Sequence, residues 1–142
     1  MKKFILLTSL IISTNIFADK LDNFDQIKHA ITHGKTIHIT VDFSKCTPSH
    51  NQTTNQMNVG IFTPHAIQVV NNKIATSLTH FTLNNPSFPD KPVYEFVRYT
   101  FTKDNNLNLT AQTLDARDYS SLSDKHELNC KINAGVKVYD DK

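Results

Sequence analysis

The chain has 142 residues, with 15 Lys and Arg against 13 Asp and Glu and only two cysteines. Lys2 and Lys3 account for the whole basic excess, since every acidic residue lies after position 18. The segment from Asp19 on is therefore neutral and lacks the basic face that nucleic-acid binding draws on. Asp19 to Lys142 suits a single domain with a real core, and no later run approaches the ~20 apolar residues of a membrane-spanning helix.

Lys2 and Lys3 precede the apolar run Phe4 to Ile12, broken only by Thr8 and Ser9, and a polar stretch leads to the small residue Ala18. Charge, short apolar run and small residue in that order predict a removed signal peptide over residues 1–18, with no stable membrane span. No cysteine stands at the cut to carry a lipid anchor. A bacterial periplasmic or secreted location follows, and there Cys46 and Cys130 can pair. Such a bridge would close a long loop and stabilise the fold by roughly 4–5 kcal/mol in the chain-entropy account. Nothing resembles C-x-x-C, so a redox role has no motif behind it.

Leu21 to His33 is predicted as a helix. Asp22 is placed as N-cap, Phe24, Ile27 and Ile31 form an apolar stripe with Ala30, and Gly34 supplies the stop. The period then switches to two. Ile37, Ile39, Val41 and Phe43 point one way, and Thr36, His38, Thr40 and Asp42 the other. Thr47 to Asn58, rich in Asn, Gln and Thr, reads as a long exposed loop. Strand formers begin at Val59. Ala66 to Val70 and Lys73 to Leu83 flank Asn71-Asn72, a pair suited to a tight hairpin. Asn84 to Pro92 carries three prolines and is irregular.

Val93 to Thr102 is a strong strand with large apolar groups on both faces, so both faces are expected to be covered. Lys103 to Asn106 turns the chain into a returning strand over Leu107 to Leu114. Asp115 to Asp124 is a polar loop. His126 to Ile132 and Val136 to Tyr139 are closing strands joined around Ala134-Gly135. One helix followed by six to eight hairpin-spaced strands predicts an α+β fold. Its N-terminal helix would pack on a mostly antiparallel, curved or barrel-like sheet.

The run Phe24-Asp25-Gln26-Ile27, Ala30-Ile31, Gly34-Lys35, Ile37, Ile39, Val41 and Asp42-Phe43-Ser44-Lys45-Cys46 resembles the VirK family of small exported bacterial proteins. Chain length, the leading signal and Val93-Tyr94-Glu95-Phe96-Val97-Arg98-Tyr99 agree with that likeness. The resemblance implies an exported, single-domain, virulence-associated protein over residues 19–142. It brings no catalytic residues to carry over. The same run also has a purely physical reading. Asp42 would bond loop amides near Ser44, and Cys46 at the strand's end would staple to Cys130.

Asp25, His29 and His33 share one helix face at i, i+4 and i+8, a spacing at which two histidines can bind zinc. No third ligand is set by sequence, and a solvated polar face is the plainer reading. His38, His50, His65, His80 and His126 are scattered. Glu95 would be a general acid or ion-pair partner if it faced a cavity, and an exposed strand carboxylate otherwise. Asn51-Gln52-Thr53 and Asn108-Leu109-Thr110 match glycosylation tripeptides, a chemistry that a bacterial-type signal argues against. No nucleophile elbow, phosphate loop or dinucleotide fingerprint occurs, and no cofactor is implied.

These features favour a binding or interaction module whose partner is an unknown protein. Its recognition surface would be Thr47 to Asn58, Asn84 to Pro92 or a sheet edge. A carrier of a small apolar ligand is the second reading, and a hydrolase of unrecognised type the third.

Overall fold

A computed structural model describes residues 18–49 and 59–141. Most of the leading segment, His50, Asn51-Gln52-Thr53 and the rest of the polar stretch to Asn58 lie outside the described residues. The elements in chain order are β1 (Asp19–Leu21), α1 (Phe24–Thr32), β2 (Ile37–Asp42), a 3-10 turn (Phe43–Lys45), β3 (Thr47–Pro48), β4 (Val59–Phe62), β5 (Ile67–Val70), β6 (Lys73–Thr82), β7 (Val93–Thr102), β8 (Asn106–Asp115), β9 (His126–Lys131) and β10 (Val136–Asp140).

The strands form two sheets, a four-stranded one in the order β1-β10-β2-β4 and a six-stranded one in the order β3-β9-β8-β7-β6-β5. Every ladder between named strands is antiparallel. The sheets do not close into a barrel, which corrects that part of the expected fold. One helix beside ten strands makes the described residues mostly β, so α+β fits them only loosely.

Two local rules decide the helix. Asn23, rather than Asp22, is the N-cap, and its side chain accepts from the Gln26 amide at 2.9 Å. Gln26 Oε1 reaches back to the Asp22 amide at 2.6 Å, while the Asp22 carboxylate is taken by Lys20 at 2.8 Å. The helix starts later than expected because β1 occupies Asp19–Leu21. At the other end Gly34 has φ 76°. The amides of Gly34 and Lys35 bond the carbonyls of Ile31 and Ala30, the Schellman pattern that glycine permits.

Phe24, Ile27 and Ala30 carry α1 into the core, while Ile31 is only partly buried. Ile37, Ile39 and Val41 from β2, Val136 and Val138 from β10, and Ile74, Tyr99, Phe101, Leu107 and Leu109 from the larger sheet complete it. Period-two alternation gives β2 one wholly buried face, as its sequence requires. The other face of β7 carries no second layer among the described residues. Tyr94 and Phe96 stay partly exposed there, and Arg98 is exposed, which corrects the expectation of a strand covered on both sides.

Turn chemistry sets the register of the larger sheet. Asn71 and Asn72 both have positive φ and join β5 to β6 in the expected two-residue hairpin. Asn105, at φ 58°, closes the three-residue β7–β8 turn.

The chain changes sheet after β2, β3, β4 and β9, and the crossings after β2 and β9 are stapled together. Asp42 accepts from the Ser44 amide at 3.2 Å and pairs with Lys45 at 2.9 Å, starting the 3-10 turn. Cys46 follows, and Thr47–Pro48 then joins the six-stranded sheet against β9. The stretch expected to be loop from Thr47 therefore begins as strand. Thr47 faces Asn129, so Cys46 faces Cys130. Their Cα atoms are 4.4 Å apart, the separation of opposed residues that exchange no backbone bonds, and the two cysteines form a disulfide. Gly135 lies over it. A Cβ there would stand 3.2 Å from Cys46 Sγ, and the Gly135 carbonyl accepts from the Asp42 amide at 2.8 Å.

Candidate functional site

Alternation along β6, β7 and β8 sends one residue of each pair into the core and leaves the other on the outer face of the six-stranded sheet. Pairing aligns these outer residues in rows. Ser77, Arg98, Thr110 and Glu127 form one row, and Ala75, Thr100, Asn108 and Asn129 the next. Ala66, Gln68, Ala75 and Ser77 are small or polar, so the face is hollowed into a groove of about 480 Å3 with Phe96, Arg98 and Thr110 on its floor. Asn129 Nδ2 donates to Asn108 Oδ1 at 2.8 Å and ties the groove's far side. Arg98 is exposed and makes no ion pair among the described residues.

The same face becomes aromatic toward the start of β7. Phe81 meets Tyr94 edge-on with ring centroids 5.6 Å apart, and Tyr94 stacks on Tyr119 at 5.3 Å. Phe81 is 52% exposed and Tyr119 62%. The Tyr119 phenol beside it raises the Tyr94 phenol above its ordinary value.

Tyr119 holds its place at φ 59°, while every other described non-glycine residue with positive φ is Asn or Asp. An aromatic residue has no side-chain bond to offset that conformation, which costs about 1–2 kcal/mol. The loop is braced to hold it. Asp115, nearly buried, accepts from the Arg117 guanidinium and amide and pairs with Lys91 at 2.9 Å. These partners, Arg117 foremost, hold its carboxyl well below the usual range. The Asp115 carbonyl then accepts from the Tyr119 amide at 2.9 Å. Sequence reasoning missed this platform because a polar loop with one tyrosine carries no periodic signal; only the fold brings Tyr119 to Tyr94.

The residues singled out in the sequence fall elsewhere. Asp25, His29 and His33 do share one face and line a cleft of about 610 Å3 beside β1, with Lys35 and Asp140. His29 and His33 lie ring to ring at 3.9 Å, His33 Nδ1 contacts the His29 carbonyl, and no group of three such ligands is assembled among the described residues.

Glu95 is half-buried on the inner side of β7 rather than exposed. It accepts from Asn85 Nδ2 at 2.9 Å and lines a cleft of about 390 Å3 with Thr113, Ser123 and His126. The proline-bearing segment covers that cleft, with Asn85 buried and Phe88 half-buried. His38 bonds Thr63 and Asp141, each at 2.7 Å, while His65 and His80 are exposed. Asn108 of the second glycosylation tripeptide stands in the outer groove. Edge strand β4 exposes Val59 and Ile61.

The molecule is thus a small two-sheet antiparallel domain in which one disulfide joins the inter-sheet crossing after β2 to the one after β9. The chain belongs to the VirK family: the family model, VirK protein, matches residues 20–119. Its fold is similar to the crystal structure of lpg1832, a VirK family protein from Legionella pneumophila. The TM-score is 0.76 at 27% identity, covering 84% of this chain and 97% of that one. The sequence is also similar to the uncharacterized protein y4wH of Sinorhizobium fredii, 25% identical over 84% of this chain and 81% of the relative. An uncharacterized protein in the pinF2 3'region of Rhizobium radiobacter is 24% identical over 92% of each chain.

Proposed function

We propose that this chain is an exported, virulence-associated binding module that engages a partner protein through the outer face of its six-stranded sheet. The observation that carries this reading is Tyr119. A braced loop keeps it in an unfavourable backbone conformation while its ring stays largely exposed and stacked on Tyr94, at the end of a groove that also exposes Arg98. Strain maintained at a solvent-facing side chain is typical of recognition sites. Tyrosine and arginine are the side chains that most often dominate protein interfaces.

Export is supported by the leading charge-and-apolar pattern over residues 1–18, by the disulfide and by family membership. Among the described residues no helix is long and apolar enough to cross a membrane. Residues 19–142 act as the single mature domain in this reading.

The carrier reading is less favoured, because Phe101, Ile39, Leu107 and Val138 fill the space between the sheets. Affinity capture from target-cell extract, followed by mass spectrometry, tests the binding role. A partner retained by the wild-type chain and by Glu95→Gln, and lost by Arg98→Glu and by Tyr119→Asn, is the expected result. A partner captured equally by all four chains would move recognition away from this face. Turnover on a hydrolase panel that is lost in Glu95→Gln would favour the enzyme reading instead.

A further inference from the structure

The cleft between α1 and β1 holds a buried carboxylate oxygen that the uncut chain leaves without a hydrogen-bond partner. Asp140 is 5% exposed at its side chain. Lys35 Nζ takes its Oδ2 at 2.8 Å, and its Oδ1 is buried with no hydrogen-bond partner. Leaving one carboxylate oxygen unpaired in a buried site is unfavourable by the full desolvation of that atom.

The strand beside it is β1, whose first residue, Asp19, pairs directly with Asp140. Asp19 and Leu21 share a face by alternation, and Leu21 is buried against the core, so the Asp19 and Asp140 carboxylates stand on the same side of neighbouring strands. Asp25 lines the same cleft from α1. Of the two lysines there, Lys20 is engaged by Asp22 and Lys35 by Asp140 Oδ2. His29 and His33 complete the ionisable lining.

We propose that cleavage after Ala18 places the new α-ammonium group of Asp19 beside Asp140 Oδ1, so that processing supplies the donor this buried oxygen lacks. The inference rests on the export reading. Water adds across the Ala18–Asp19 peptide bond under a signal peptidase. The carboxylate leaves with the signal, and the amine remains on Asp19 and takes up a proton at neutral pH. The amide nitrogen of Asp19 already sits on the ladder opposite Asp140. Cleavage thus turns one N–H donor into three and adds a full charge, without moving the strand. The mature chain is thereby held more firmly than its precursor.

The test uses chain 19–142, which contains every element from β1 to β10, released with a free Asp19 amine. It is compared with the same chain extended by Ala18 alone, and both are made again with Asp140→Asn. The Asp19 chain is expected to melt at least about 3 °C above the extended one, with the difference abolished by Asp140→Asn. Equal midpoints with Asp140 intact, or an undiminished difference in Asp140→Asn, would overturn the pairing. Should Asp140→Asn not fold, the α-amine titration decides. It must rise above its ordinary range of about 7.7–8.0 in chain 19–142 and stay within that range in the extended chain. An ordinary value in both would overturn the pairing. The N-terminal mass of the exported protein separates the two claims. A start at any residue other than Asp19 overturns the cleavage and the proposal with it. A start at Asp19 with equal midpoints overturns the pairing alone.

Discussion

Asn105 Oδ1 accepts the Phe24 amide hydrogen at 2.8 Å, joining positions 81 residues apart. The first helical amide of α1 is thus satisfied by a hairpin turn of the six-stranded sheet. The Asn105 carbonyl also accepts from Ile132 at the β9–β10 corner, and Asn133 at that corner donates to the Asp22 carbonyl at 2.9 Å. Helix start, hairpin tip and sheet crossing therefore form one connected node.

Asn105 serves that node with its side chain and with its backbone, and two substitutions separate the contributions. Asn105→Gly keeps the φ of 58° at no strain and removes only the side-chain bond to the Phe24 amide, for a loss of about 1 kcal/mol. Asn105→Ala adds the left-handed penalty, for a loss of about 2–3 kcal/mol. Urea unfolding measures both, and identical losses would mean that backbone conformation plays no part.

The disulfide pins two crossings whose cysteines are 84 residues apart. Reduction, or Cys46→Ser with Cys130→Ser, is expected to lower stability by roughly 4–5 kcal/mol. Gly135→Ala in the oxidised protein should lower it by about 1–3 kcal/mol, because the added methyl meets Cys46 Sγ and the Lys45 carbonyl. Denaturant midpoints with and without reductant give both numbers. A reduced protein as stable as the oxidised one contradicts the first.

Asp115 has its carboxyl held low in the folded state, by Arg117 first and by Lys91. A lowered folded value means that its contribution is complete above the unfolded value of about 3.9 and is lost as pH falls through the folded one. The wild-type loop should therefore stay ordered at pH 5 and loosen only in stronger acid. Asp115→Asn should be destabilised already at neutral pH and lose that part of its acid sensitivity. Stability measured against pH for both chains checks this, and parallel curves would rule it out.

Tyr119→Asn relieves a backbone strain of about 1–2 kcal/mol and gives up an aromatic pair of about 0.5–1.5 kcal/mol. Stability should therefore change by less than about 1.5 kcal/mol while partner capture is lost. Thermal unfolding of the variant, set beside its capture assay, shows whether the ring serves recognition. A large loss of stability would instead make Tyr119 structural.

Much of the local architecture was readable along the chain because short-range rules govern it. The alternation of Ile37, Ile39 and Val41, the Asn71-Asn72 hairpin, the Gly34 stop and the Asp42 contact to Ser44 all depend on residues within a few positions of one another. The strand expected over Val93 to Thr102 is β7, residue for residue. The family was readable for the same reason, since its distinctive run spans one helix, one stop and one strand.

What the linear order could not decide was which face meets which. Period two places Tyr94, Phe96 and Arg98 on one side of β7 but does not say whether a second layer covers them; among the described residues, the division into two sheets leaves that side open. The same division puts β9 and β10 in different sheets, makes a corner of Ala134-Gly135, and turns Glu95 inward to Asn85. Tyr119 and Asp140 acquire their meaning from partners many residues away, Tyr94 in one case and Asp19 in the other. Side-chain periodicity is set by the backbone a few residues at a time. The burial of a face is set by where distant segments come to rest, and for this chain only the tertiary structure decided that.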